Sequence, residues 1–137
     1  MHAKISFFVA LFFILFLQTA VASRVLAGAD AGPDQTVNEA DTVILDGSNS
    51  TVPGFIISYF WQQTDGSPSV TLKDANKAKA SFIAPIVAPE GASLTFQLTV
   101  IYYRYYYGFF SDKDTAIVNV VFVNDPPVAN AGPNQDV

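Results

Sequence analysis

The chain has 137 residues, half of them apolar, and a formal charge of −5. That supports a packed core and argues against disorder. It gives no clustered Lys and Arg for a phosphate backbone, so nucleic acid is set aside as a partner. There are no cysteines, which excludes disulfides, thiolate metal sites and cysteine nucleophiles.

Residues 1–23, "MHAKISFFVALFFILFLQTAVAS", read as a signal peptide. His2 and Lys4 form a short basic start, Phe7–Leu17 is an unbroken apolar run, and Ala20-x-Ala22 gives a small-residue cleavage site. A membrane span needs about 20 apolar residues, and this run has eleven. Export with cleavage after Ala22 or Ser23 is expected. The alternative is a membrane protein held by an uncleaved N-terminal segment. Cleavage removes His2, the only histidine. No Ser-His or Cys-His catalysis and no histidine metal site then remain.

From Ala29 onward the pattern is short alternating segments between turns. Thr42–Asp46 puts Val43 and Leu45 on one face. In "FIISYFWQQ", Ile57, Tyr59 and Trp61 share one face, and Ile56, Ser58 and Phe60 the other. Trp61 is expected in the core, the alternative being an exposed sugar-stacking ring. Ser69–Leu72 and Ala80–Ile83 are shorter strands. Only "LKDANKAKA" between them has helical composition. In "SLTFQLTV", Leu94, Phe96, Leu98 and Val100 face inward. In "TAIVNVVFV", Ala116, Val118, Val120 and Phe122 do. The breaks "DGSNSTVPG", "TDGSPS" and "APEG" are turn chemistry. Six or seven such strands predict an all-β, antiparallel β-sandwich of about 95 residues.

"AGPDQTV" at 31–37 returns as "AGPNQDV" at 131–137, with five of seven residues matching. The offset of one hundred suits one sandwich plus a linker and is too long for a solenoid repeat. The expected domains are therefore 29–124, a complete module, and 125–137, a linker with the first strand of a second repeat. The alternative is a structural tail after a single domain.

The ordered series "AGPDQTVNEADTVILDGSNS", "ISYFWQQ", "SVTLKDANKAKASFIAP", "LTFQLTV" and "VNDPPVANAGPNQ" resembles a polycystic-kidney-disease-type (PKD) repeat, the tandem subtype of surface and secreted proteins. The resemblance implies an immunoglobulin-like sandwich outside the cell. It implies a non-catalytic unit for spacing, adhesion or contact with cell-surface protein or carbohydrate, beside further copies of itself. The alternative is an accessory domain of a secreted hydrolase whose catalytic domain lies outside this chain. Two departures stand out. Repeats of this type usually follow the serine-rich turn with Asp-Pro-Asp-Gly, where this chain has Val52-Pro53-Gly54. They join the last two strands by an acidic, glycine-rich loop, where this chain has "IYYRYYYGFFSDKD".

Both departures remove carboxylates that calcium prefers. Asp46, Asp112, Asp114 and Asp125 remain as candidate ligands; the expected reading is solvated carboxylates and no cofactor. The same groups are the only route to catalysis, and paired glycosidase carboxylates need a cleft for which a domain of this size offers little room. Asn49-Ser50-Thr51 is a glycosylation sequon in a turn, a short pattern that also arises by chance.

Five of the six tyrosines lie in Ile101–Phe110. Extending the β-strand alternation past Val100 sends Tyr102, Arg104 and Tyr106 to the core side, and Ile101, Tyr103, Tyr105, Tyr107 and Phe109 to the other. An arginine on the core side is costly unless paired, so the strand is expected to outrun the sandwich and turn near Gly108. Tyr103, Arg104, Tyr105, Tyr107 and Phe109 form a candidate contact loop. The competing readings are rings packed on one another, on Phe60 or on a neighbouring module, and a poorly folding copy prone to aggregation. Intact mass and N-terminal sequencing of the exported product check the signal reading: the mature chain is expected to begin at Ser23 or Arg24.

Overall fold

The computed structural model describes residues 27–136; the signal reading of residues 1–23 lies outside them. Six strands follow in order: β1 Gln35–Asn38, β2 Thr42–Asp46, β3 Phe55–Asp65, β4 Lys79–Ile83, β5 Ala92–Arg104 and β6 Gly108–Val121. One sheet has the order β1-β6-β5-β3 and the other pairs β2 with β4. All pairings are antiparallel except β1 with β6.

The core lies between the two sheets, where the period of two directs alternate side chains inward. Val43 and Leu45 come from β2, Ala80 and Phe82 from β4, and Trp61 from β3. Leu94, Phe96, Leu98 and Val100 of β5 are fully buried, with Ala116, Val118 and Val120 of β6 beside them. Phe82 and Phe96 meet across the sandwich with ring centroids 4.8 Å apart. Trp61 is a core residue, 1% exposed, and its indole N–H donates to the Ala78 carbonyl at 3.4 Å. The all-β sandwich expected from alternation is the observed fold.

Three local expectations fail. In β3 the predicted inward residue Ile57 is 57% exposed, and Ile56 packs on the core instead. A β-bulge breaks the register with β5 between Ile56 and Ser58. The extra residue exchanges the two faces at that end of the strand. Ser69–Leu72 forms no strand. Val70 is held by the Gln63 side chain, whose oxygen accepts the Val70 N–H at 2.9 Å. "LKDANKAKA" is not helical either. It makes a bridge from Lys73 to Ser81 and a turn from Asp74 to Lys77. Its Ala75 carbonyl accepts the Trp61 N–H at 2.8 Å, covering the outer edge of β3 there.

Ahead of β1, residues 28–34 run alongside β6 as a strap. Gly28 bridges Thr51, and the Ile117 N–H donates to Asp34 Oδ1 at 2.8 Å. Because β1 is parallel to β6, the chain enters at the end where β5 turns into β6. It leaves at the opposite end, after Val121. Beyond it, the Gly132 N–H donates to the Asn130 side-chain oxygen at 2.9 Å, with Gly132 at φ 72°. Gly32 makes the same turn on Asp30, at 2.8 Å and φ 76°. The two copies of the sequence thus share a local conformation as well as residues.

Phe96→Ala removes the ring at the centre of the inter-sheet contact. We expect a loss of about 3–5 kcal/mol by urea unfolding, against a negligible change for the exposed Ile86→Ala.

Candidate functional site

The candidate contact loop is the turn of the β5–β6 hairpin. The ladder runs unbroken from Ala92↔Val120 to Arg104↔Gly108. Val100 is the last fully buried residue of β5, so the hairpin projects four residues past the core. A β-turn closes it, the Tyr107 N–H donating to the Arg104 carbonyl at 3.0 Å.

The rings sort by strand parity. On the core side, beyond the end of the core, Tyr102 stacks on Phe110 at 5.7 Å. Arg104 follows them, its guanidinium 4.9 Å from the Tyr107 ring centre and 5.6 Å from that of Phe110. The expected cost of an inward arginine is avoided because no core remains at that level. Cation–π contact replaces a carboxylate partner. On the outer side Phe55, Tyr103 and Phe109 are successive cross-strand partners on β3, β5 and β6. Tyr103 meets Phe109 edge-on, with centroids at 5.2 Å and planes at 61°. At the tip Tyr105 and Tyr106 meet at 83°.

Tyr103 and Arg104 are half-buried, whereas Tyr105, Tyr107 and Phe109 are exposed. Mutual packing and exposure therefore coexist. Each ring leans on another ring or on Arg104, yet Tyr106, the outermost, is 92% exposed. The structure adds residues that the reading of the loop alone omits: Phe110 beneath Arg104, and Phe55 opposite Tyr103 on β3; Phe60, opposite Thr99, makes no ring pair with the tip. The start of β3 is brought against the hairpin by a close approach. A Cβ on Gly54 would sit 2.2 Å from the Tyr103 carbonyl oxygen. Gly54 belongs to the Val52-Pro53-Gly54 turn that replaces the acidic one, so the two departures from the repeat pattern touch each other.

The candidate calcium carboxylates are engaged separately. Asp112 Oδ2 accepts the Ala29 N–H at 2.9 Å, and Asp114 Oδ2 accepts the Ala31 N–H at 2.8 Å. Both lie on the inward face of β6 where the strap's backbone, rather than the second sheet, covers them. They satisfy donors that would otherwise be buried without a partner, since Ala31 is 2% exposed. Asp46 pairs with Lys79 at 2.9 Å. Hydrogen bonds from Ser48 and from Lys79 hold its carboxyl at about 2, below the ordinary 3.8. Asp125 is exposed in the segment after β6. Among the described residues no three His, Asp or Glu side chains gather as a metal site would require. Asn49 is exposed in a turn, with Ser50 buried beneath it, the Ser50 hydroxyl donating to the Gly47 carbonyl at 2.7 Å.

Tyr106 has φ 67°, at the third turn position, where glycine is favoured and a bulky side chain is strained. With its ring in solvent, Tyr106→Gly is expected to stabilise the domain by about 1 kcal/mol, read as a raised urea midpoint at unchanged slope.

Comparison with known proteins agrees with this architecture. The family profile described as "K319L-like, PKD domain" matches residues 31–104, ending at the hairpin turn. The mouse (Mus musculus) dyslexia-associated protein KIAA0319-like protein is 34% identical over 110 residues, covering 77% of this chain and 10% of that protein. The rat (Rattus norvegicus) dyslexia-associated protein KIAA0319 homolog is 32% identical over 106 residues, covering 70% and 8%. The chain thus spans a tenth or less of the curated relatives it matches. The solution structure of the PKD domain from KIAA 1837 protein superposes with a TM-score of 0.60 at 32% identity, covering 75% of this chain and 94% of that one. The sandwich topology, the family match and this structural likeness converge: the chain belongs to the K319L-like PKD domain family.

Proposed function

We propose that this domain is a non-catalytic module working outside the cell, where it spaces and joins protein surfaces in series with further copies and makes contact through its tyrosine hairpin. One observation carries the contact reading. The hairpin stands at the end where the chain enters, opposite the end from which Asp125, Pro126 and Pro127 lead to the repeated "AGPNQDV". A module attached downstream therefore leaves the exposed rings uncovered and presented away from it. The proline pair stiffens that exit, which suits a spacer.

A non-catalytic role fits the chemistry. Catalysis by carboxylates needs two of them free across a cleft, whereas Asp112 and Asp114 accept backbone N–H groups and Asp46 holds Lys79. The hairpin offers contact chemistry instead: large rings with polar ends, few rotatable bonds and one cation. Its exposed tip does not offer the coplanar platform on which a run of sugar rings stacks, because Tyr103–Phe109 and Tyr105–Tyr106 meet edge-on.

The test is the variant Tyr103→Ser, Tyr105→Ser, Tyr107→Ser, applied as the exported protein to whole cells. Loss of cell-surface binding with at most a small change in melting temperature is expected. Retained binding together with a large fall in stability would show that the rings serve only the fold.

A further inference from the structure

The hairpin end carries a second assignment, which rests on the contact reading above: we propose that its partner is a lipid bilayer, with the exposed rings seated among the headgroups and Arg104 facing their phosphates. Three observations point there together.

The first is side-chain chemistry at the tip. Tyr105, Tyr106, Tyr107 and Phe109 are 67–92% exposed, and Phe55 beside them is 67% exposed. A ring with an apolar body and a polar end belongs at the boundary between hydrocarbon and water. A narrow projecting tip reaches such a boundary without carrying the rest of the domain into it.

The second is charge. Acidic residues outnumber Lys and Arg by 12 to 7 over the whole chain, yet Thr99–Ser111 contains a single charged residue, Arg104. The nearest carboxylates, Asp112 and Asp114, are turned onto the strap's N–H groups. The opposite end carries Glu39, Asp41, Glu90 and Asp125 around the exit of β6. The carboxylates are therefore absent from the tip itself and gathered at the far end, so a surface of lipid phosphates meets Arg104 with the least repulsion when the hairpin faces it, which orients the domain.

The third is where the chain comes from. The strap runs parallel to β6 from the level of Asp112, so the described chain, from Ala27, begins at the hairpin end. The apolar run Phe7–Leu17 ends ten residues before that point, a reach of at most about 35 Å. While the run occupies a membrane, the hairpin end lies within that reach of it. After cleavage the new amino terminus and Arg24 add positive charge a few residues ahead of Ala27.

The absence of cysteine allows single-site probes in the full chain. An environment-sensitive fluorophore is placed at Tyr106→Cys or, at the opposite end, at Glu90→Cys, and vesicles of phosphatidylcholine are added. The Tyr106 probe is expected to shift to shorter wavelength and become accessible to bilayer-embedded quenchers, while the Glu90 probe stays in water. The Tyr106 shift is expected to disappear when Tyr103, Tyr105 and Tyr107 are also serine. A Tyr106 probe that stays in water on vesicle-bound chain overturns the proposal. If cell binding still depends on the tyrosines, the partner is protein or carbohydrate and only the lipid assignment falls. A shift without vesicles that grows with protein concentration also overturns it, in favour of a second copy of the chain.

Discussion

The pairing of β5 with β6 is the constraint on which the rest of this domain depends. It is the longest ladder in the molecule, running from Ala92↔Val120 to Arg104↔Gly108. Its first part supplies seven of the buried core residues, from Leu94 to Val100 on one strand and Ala116 to Val120 on the other. Its last part supplies the aromatic tip. Side-chain parity is fixed along the whole ladder. The inward position that holds Val100 therefore also sends Tyr102, Arg104 and Phe110 to one side of the projecting hairpin. Core and tip are one register, and a slip of one residue would expose the core and scramble the ring pairs together.

The same parity explains the two aspartates. Asp112 and Asp114 lie opposite Val100 and Leu98 and face inward with them. Inward carboxylates are costly without partners. They are tolerated because the covering element is a backbone strap whose N–H groups need acceptors. Each charge-assisted hydrogen bond ties the entering chain to the strand it runs beside. Residues that look from the sequence like spare calcium ligands are thus fasteners of the N-terminal segment.

Legibility in the sequence followed locality. Alternation in "SLTFQLTV" and "TVILD" carried the core faithfully because a regular ladder preserves parity. The same extrapolation placed Tyr103, Tyr105, Tyr107 and Phe109 away from the core and predicted the overrun at Arg104. It failed in "FIISYF", where a bulge between Ile56 and Ser58 adds a residue that no side-chain pattern announces. Ser69–Leu72 failed for a related reason: its β-prone residues meet a glutamine side chain instead of a strand edge. Phe110 and Phe55 were missed because their role comes from neighbours across strands, Tyr102 in one case and Tyr103 in the other. The roles of Asp112 and Asp114 depend on contacts 83 residues away in the chain.

Tyr106 shows what the tip is shaped for. A glycine follows two residues later, yet the left-handed position itself holds a tyrosine at φ 67° with its ring almost wholly in solvent. Backbone preference opposes that choice, its edge-on contact with Tyr105 leaves the ring in solvent, and strain of this kind concentrates where a residue serves something other than the fold. The surrounding rings hold one another edge-on, and Arg104 is stacked between Tyr107 and Phe110. Under the proposed contact role the tip would lose little side-chain freedom on binding, and preorganisation of this sort converts exposed area into affinity. A loop rich in glycine and aspartate, the usual connection in repeats of this type, would supply neither the area nor the rigidity. Under the contact role proposed above, the replacement gives the hairpin end of the domain an exposed aromatic surface.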